Sequence, residues 1–413
     1  MRIVRRMIGA ALAALFFALI LQGDAIPPKQ VFDRQIDGMM AGRHFNFVRW
    51  EAAAIAGKLG QTFRSHGGNP GWTEQKALVV EYFSTTQRIR ELEEEVKRIY
   101  STTEREEAAR ASLPLRLEIK RLRQHQEERR GAVETILEEQ TKHILLSQGF
   151  GLSNFLWPPV KFRFSQTPLY LVISPRDRIE VRKAVYLWPD LDLEEQEAIE
   201  EEIDHTFNVS SLIVGTGGVG AYPTMIAETP SLRWVLETIA HEWTHNYLAF
   251  KPLGWHYEDS YQLRTMNETV ASIVGDEVGG LVLSTYYPEL VPPEGKEERH
   301  QPKPGEFDFN QEMRKIRLKV DELLAQGKVE EAEQFMEERR RYLASHGHYI
   351  RKLNQAYFAF YGSYATGPAS VDPIGEKLKE LRARSASLKE FVDRVSMMTS
   401  YEDLERALEA DWR

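Results

Sequence analysis

From Thr73 to Gln148 the apolar residues return every three or four positions, as Ile89, Leu92, Val96 and Ile99, then Leu115, Ile119 and Leu122, then Val133, Leu137 and Ile144. That spacing lays them along one face of a 3.6-residue turn, so the whole stretch is committed to helix. Pro114 interrupts it, and the two arms are expected to pack as a hairpin or short coiled coil. The charge runs Glu91 to Lys97 and Glu127 to Arg130 then form solvated faces laced by i,i+4 pairs. Such an arm also offers a face through which a second copy of the chain can dock.

Around this arm the pattern changes. Val31 to Gln61 carries helical spacing, closed by a glycine-rich loop from His66 to Gly71. After Pro158-Pro159, the runs Lys161–Phe164, Leu169–Ser174 and Leu212–Gly215 are short and rich in β-branched and aromatic residues, as strands are. Asp190 to Thr206 lies between them as a helix. The glycine turn Gly215–Gly220 lacks the Lys-Ser/Thr of a phosphate loop; it leads into Gly220–Ile226, where Pro223 suggests an edge strand. Helices follow at Leu232–Leu248, with Thr229 as N-cap and Pro230 in the first turn, and at Arg264–Leu283. A Pro/Glu/Lys linker runs to Gly305, then a helical pair turns at Gly327, and helices cover Asn354–Tyr364, Gly375–Arg384 and Tyr401–Leu408. The expected fold is α+β and predominantly α-helical, a small, mostly antiparallel sheet packed on two central helices with long helical additions on both sides. Its regions are 26–157, 158–290 and 291–413.

Residues 1–25 read as an export segment. Arg2, Arg5 and Arg6 precede an uncharged apolar run from Met7 to Leu21, and Gly23-Asp24-Ala25 offers a cleavage site. The segment is either removed or kept as a membrane anchor, and in both cases the body lies outside the cytoplasm. The sequence has no cysteine, which excludes disulfides, thiolate metal ligands and a cysteine nucleophile. A net charge of -9 with no basic face argues against nucleic acid as a partner.

Chemistry concentrates in Ala240-His241-Glu242-Trp243-Thr244-His245-Asn246. Two histidines at i and i+4 lie one turn apart on one helix face, so both imidazoles reach one cation at about 2.0–2.1 Å. Glu242, beside the first, is placed to take a proton from a water that the cation has acidified. Leu232, Val235, Leu236, Ile239 and Leu248 form the apolar flank that buries the helix, and Trp243 and Tyr247 read as core residues. The five-residue motif recurs by chance in unrelated helices, and zinc needs a third protein ligand.

Downstream stands Met266-Asn267-Glu268-Thr269-Val270-Ala271-Ser272, 23 residues after His245 to the glutamate. The pair of segments resembles the thermolysin-like and related gluzincin peptidases, in which H-E-x-x-H on one helix is followed by N-E-x-x-A on the next. The resemblance implies one Zn2+ per chain held by His241, His245 and Glu268, Glu242 as general base, and a peptide or protein substrate. The family often has an aspartate four residues after the ligand glutamate, where this chain has Ser272; Asp276 and Glu237 are alternative partners for a ligand histidine, and Asn267 completes the set. The family's oxyanion donor is a Tyr or His, and His256, Tyr257, His346, His348, Tyr357, Tyr361 and Tyr364 are the candidates. The segment from Leu353 to Tyr357, with Tyr361 and Leu388–Phe391, is similar to the tail of a bacterial family of exported aminopeptidase homologues. The glutamate with which larger relatives grip a free amine is missing from Gly220–Thr224, and Glu228 is a distant substitute, so exopeptidase and endopeptidase both stand. The alternative is an exported helical scaffold or binding module with a vestigial metal site.

Overall fold

A computed structural model of the chain describes residues 31–64, 71–291, 307–363 and 373–410. The run Met7–Leu21, most of the loop after His66, the linker ending at Gly305 and Tyr364 lie outside them. Among the described residues no helix is long and apolar enough to cross a membrane. The chain divides into two compact units, residues 1–44 and 45–413. In the first, helix α1 (Val31–Met39) buries Phe32 and Ile36, one turn apart on one face. The helical spacing expected from Val31 to Gln61 is broken at Gly42, whose φ of +82° no side-chain-bearing residue adopts cheaply. It resumes as α2 (Phe47–Arg64) at the start of the second unit.

The arm of the second unit consists of α3 (Trp72–Thr102), a short α4 (Arg105–Ala111) and α5 (Leu113–Ser147). Pro114 sits in the first turn of α5, where a missing N–H costs nothing, so the turn of the hairpin comes just before it. Val79, Tyr82 and Phe83 on α3 and Val133, Ile136 and Leu137 on α5 are buried in one cluster. Gln126 Nε2 donates to Thr86 Oγ1 at 2.7 Å between the arms.

The strands, in chain order, are β1 (Gly151–Leu152), β2 (Phe155–Leu156), β3 (Phe162–Phe164), β4 (Leu169–Pro175), β5 (Lys183–Leu187), β6 (Val209–Gly215), β7 (Gly218–Val219) and β8 (Thr224–Ile226), with α6 (Leu193–Phe207) between β5 and β6. β1 and β2 form a hairpin; β5–β4–β6 is an antiparallel sheet; β3–β8–β7 is a mixed one, β3 parallel and β7 antiparallel to β8. The edge strand expected over Gly220–Ile226 is therefore corrected: only Thr224–Ile226 is strand, and it is central. Pro223 precedes it, so no ladder N–H is missing, and the outer strand is the glycine-bearing β7. The opposite edge of this sheet is closed by side chains. Glu134 and Glu138, four apart on α5, accept the N–H groups of Phe164 (2.9 Å) and Phe162 (3.2 Å), two apart on β3. Four residues of helix rise about 6 Å and two of strand about 6.6 Å, so the spacings match.

The remaining helices are α7 (Leu232–Leu248), α8 (Pro252–Trp255), α9 (Tyr261–Tyr286), α10 (Phe309–Ala325), α11 (Val329–Ser345), α12 (Gln355–Tyr361), α13 (Ile374–Arg384), α14 (Leu388–Ser396) and α15 (Tyr401–Ala410). Ser231, not Thr229, caps α7: its hydroxyl accepts from Trp234 N at 3.2 Å, while Thr229 Oγ1 accepts from Ser231 N. The main core collects Val235, Ile239, Val270 and Val274 from α7 and α9, the arm residues above, and Leu378, Phe391 and Leu404 from α13, α14 and α15. One core thus crosses the boundaries drawn at 157 and 290. The architecture is α+β and mostly helical, with α7 and α9 at its centre.

Candidate metal centre

Helix α7 is held in place before any ligand is considered. Leu232, Val235, Leu236, Ile239 and Leu248 are all buried, and Trp243 donates its indole N–H to Pro158 O at 2.8 Å while stacking on Tyr247. Helix α9 then comes unusually near. A Cβ on Gly275 would lie 2.8 Å from Glu237 O, and one on Gly279 would lie 2.6 Å from Glu237 N and 2.7 Å from its Cα. Two glycines one turn apart remove the side chains that would keep the backbones separate, and this approach delivers Glu268 to the histidines. In the sequence, the signal of this approach is the Gly-x-x-x-Gly spacing of Gly275 and Gly279.

His241 Nε2 and His245 Nε2 are 3.1 Å apart, and Glu268 Oε2 lies 3.6 Å and 3.5 Å from them. A tetrahedral ion with bonds of about 2.0–2.1 Å requires ligand atoms about 3.3 Å apart, so three corners of such a site are in place. Glu268 Oε2 is buried and has no hydrogen-bond donor among the described residues. A buried carboxylate oxygen left in that state is costly unless a cation satisfies it. Without an ion, burial opposes the charge on His245 but the adjoining Glu268 carboxylate outweighs it and lifts the imidazole to about 9. Burial likewise resists the charge of Glu268, yet the two histidines hold its carboxyl well below the usual range.

The surrounding side chains fix the ligands' orientation. Asn267 Oδ1 lies 2.8 Å from His245 Nδ1, which as donor leaves Nε2 with its lone pair toward the cluster. Tyr257 donates its hydroxyl to Glu268 Oε1 at 2.6 Å, turning Oε2 inward. Ser272 spends its hydroxyl on Glu268 O, one turn back along α9. The Glu237 carboxylate accepts from Arg233 Nε at 2.7 Å; burial and the nearby charge of Asp276, itself exposed, raise its pKa.

Glu242 is buried under the glycine turn. A Cβ on Gly218 would fall 2.5 Å from Glu242 Oε1, so β7 crosses directly over this carboxylate only because residue 218 lacks a side chain. Burial is the main cause of a raised Glu242 pKa, opposed by the two histidines. Facing the same charges are Tyr170 and Tyr186, cross-strand partners whose rings are 4.5 Å apart. Burial pushes Tyr170 up to about 12, and burial with the charges of Tyr170, Glu242 and Glu268 pushes Tyr186 well above its ordinary value. Neither was among the candidates, since a cross-strand pair from β4 and β5 is invisible until the strands are paired.

The other candidates have contacts of their own. His256 bonds Asp259 Oδ2 at 2.6 Å. His346 stacks on Phe307 at 4.3 Å and His348 on Phe309 at 4.6 Å, beside the α10–α11 pair. Tyr357 and Tyr361 pack on each other at 4.5 Å. Glu228 is engaged by the Tyr82 hydroxyl and Arg130. No family model matches the chain, and no curated protein or solved structure matches it either.

Proposed function

We propose that this chain is a metal-dependent hydrolase, with His241, His245 and Glu268 as ligands of one divalent ion. More particularly, the reading is a zinc peptidase in which Glu242 is the general base. The observation that carries it is the trio of ligand atoms 3.1–3.6 Å apart, one of them the Glu268 oxygen that has no hydrogen-bond donor among the described residues. Zinc, when bound there, supplies a Lewis acid that acidifies water and polarises a carbonyl. The chain's own residues do the rest. Glu242 takes the proton and delivers it to the leaving amine, its burial keeping water from competing for that proton. The outer strand β7, beside Glu242, offers its backbone to an extended peptide by strand addition. Tyr170 and Tyr186, neutral well past physiological pH, would be the donors toward developing negative charge.

The test is a peptide-library digest with zinc-loaded protein, scored for cleavage at free N-termini and at internal bonds, alongside Glu242→Gln. The expected result is one zinc per chain in both proteins and a loss of hydrolysis in the variant of about 10²- to 10⁴-fold. Equal turnover by the variant rules the mechanism out. Absence of stoichiometric zinc favours the scaffold.

A further inference from the structure

Arg264 stands one turn before Glu268 on α9, hence on the same face of that helix. Its side chain is only 13% exposed, and its guanidinium carbon lies 5.1 Å from the centre of the Tyr257 ring, whose hydroxyl is the one bonded to Glu268. One aromatic ring therefore separates a fixed positive charge from the triad. Arg264 pairs with Glu258, and that carboxylate is 72% exposed, on the short connection ahead of α9. An exposed glutamate holds its partner weakly, because water competes for it and its side chain must be immobilised. A guanidinium presents a planar fork that binds a carboxylate through two parallel hydrogen bonds. A mostly buried arginine with a displaceable partner, next to a hydrolytic centre, is arranged to exchange one carboxylate for another.

We propose that Arg264 binds a substrate carboxylate, so that the peptides this enzyme prefers carry negative charge beside the scissile bond. This rests on the peptidase reading above. Glu258 occupies the fork in the free protein and swings into solvent when the substrate arrives. The carboxylate comes from an acidic side chain or from a free C-terminus; the chemistry at Arg264 is the same. A neutral isostere leaves the guanidinium without its second charge, which costs on the order of 10- to 100-fold in kcat/KM. An arginine that merely stacks on Tyr257 gives no such discrimination.

The experiment uses zinc-loaded full-length chain and matched peptides that differ only as Glu against Gln at each position flanking the bond, each made as free acid and as C-terminal amide. Wild type is expected to prefer the acidic member at one position by at least about tenfold. Arg264→Gln removes the preference, Arg264→Lys keeps part of it, and Glu258→Gln lowers KM for the acidic peptide. Preference at a Glu/Gln position assigns the side-chain source, and preference for the free acid assigns the terminus. Equal cleavage of both members by wild type, or a preference that survives Arg264→Gln, overturns the proposal. The same peptides are titrated calorimetrically into Glu242→Gln protein, which reads binding without turnover. Acid-selective binding that Arg264→Gln abolishes, with no cleavage of any peptide by wild type, sinks the peptidase reading and leaves the carboxylate site standing. Neither binding nor cleavage sinks both.

Discussion

Among the buried glutamates of the described residues, two pairs are treated in opposite ways. On α5, Glu134 and Glu138 are satisfied on every oxygen: Lys58 reaches both at 2.7 Å, Lys161 bonds Glu138, and the N–H groups of Phe162 and Phe164 complete the set. At the α7–α9 crossing, Glu268 keeps one oxygen without a hydrogen-bond donor among the described residues, and Glu242 has two imidazoles and a bare glycine backbone for neighbours. The first arrangement closes a sheet edge, and its charges are internal to the fold. The second turns its acceptor capacity inward, where without an ion only the adjoining imidazoles offset the Glu268 charge. The two pairs are alike in burial and differ in how far their oxygens are paired.

Removing a partner from the closed network should produce the largest change. Glu134→Ala strands the Phe164 N–H and half of the Lys58 charge, at a cost of about 3 kcal/mol, the lower end for a broken buried pair because Glu138 still holds Lys58. Urea unfolding should show that loss while zinc stoichiometry of the folded fraction stays unchanged. If the variant also loses its metal, the two clusters are not independent. The open cluster should respond to the ion instead. Raising free zinc to about 100 times Kd should stabilise the wild type by about 2.7 kcal/mol relative to chelated protein, and Glu268→Ala should erase the difference. Differential scanning calorimetry with and without chelator measures it, and an equal shift in both proteins would mean the ion binds elsewhere.

Why the sequence exposed one cluster and hid the other follows from where their information lies. His241, Glu242 and His245 share a single helical turn, and Asn267-Glu268 another, so local periodicity is enough to put each group on a helix. The apolar stripes that define α3, α5 and α7 are local in the same sense. The Lys58–Glu134–Glu138 network instead joins α2 to α5 and β3, segments far apart in the chain, and in sequence its glutamates look like any solvated pair. Strand β5 and the central position of β8 are equally non-local, fixed by what pairs with them rather than by their own residues. For the same reason Arg264, Tyr170 and Tyr186 pass as ordinary residues until the helices and strands are assembled.

The α7–α9 approach links the two kinds of information. Gly279→Ala places a methyl carbon against the backbone of Glu237 and must push the helices apart, costing about 2 kcal/mol of stability as overpacking. Because the same displacement withdraws Glu268 from the histidines, zinc affinity should fall along with the melting temperature. Stability lost with affinity intact would show that α9 bends locally and that the crossing does not set the site.

The smallest effect is expected from Asn267, and it isolates orientation from charge. Its side-chain oxygen meets His245 Nδ1 at 2.8 Å, the ring nitrogen that is not one of the three ligand atoms. In Asn267→Ala the imidazole is free to rotate and to carry its proton on either nitrogen, so part of the population offers an N–H where a lone pair is needed. Zinc affinity should drop by about tenfold, the lower end for such partners because an amide polarises the ring less than a carboxylate does. Competition with a fluorescent chelator measures it directly. Asn267→Asp should restore or exceed the original affinity by returning an acceptor with full charge. If alanine and aspartate bind zinc alike, the ring is held by packing alone, and the open cluster owes its geometry to the helix crossing and not to its hydrogen bonds.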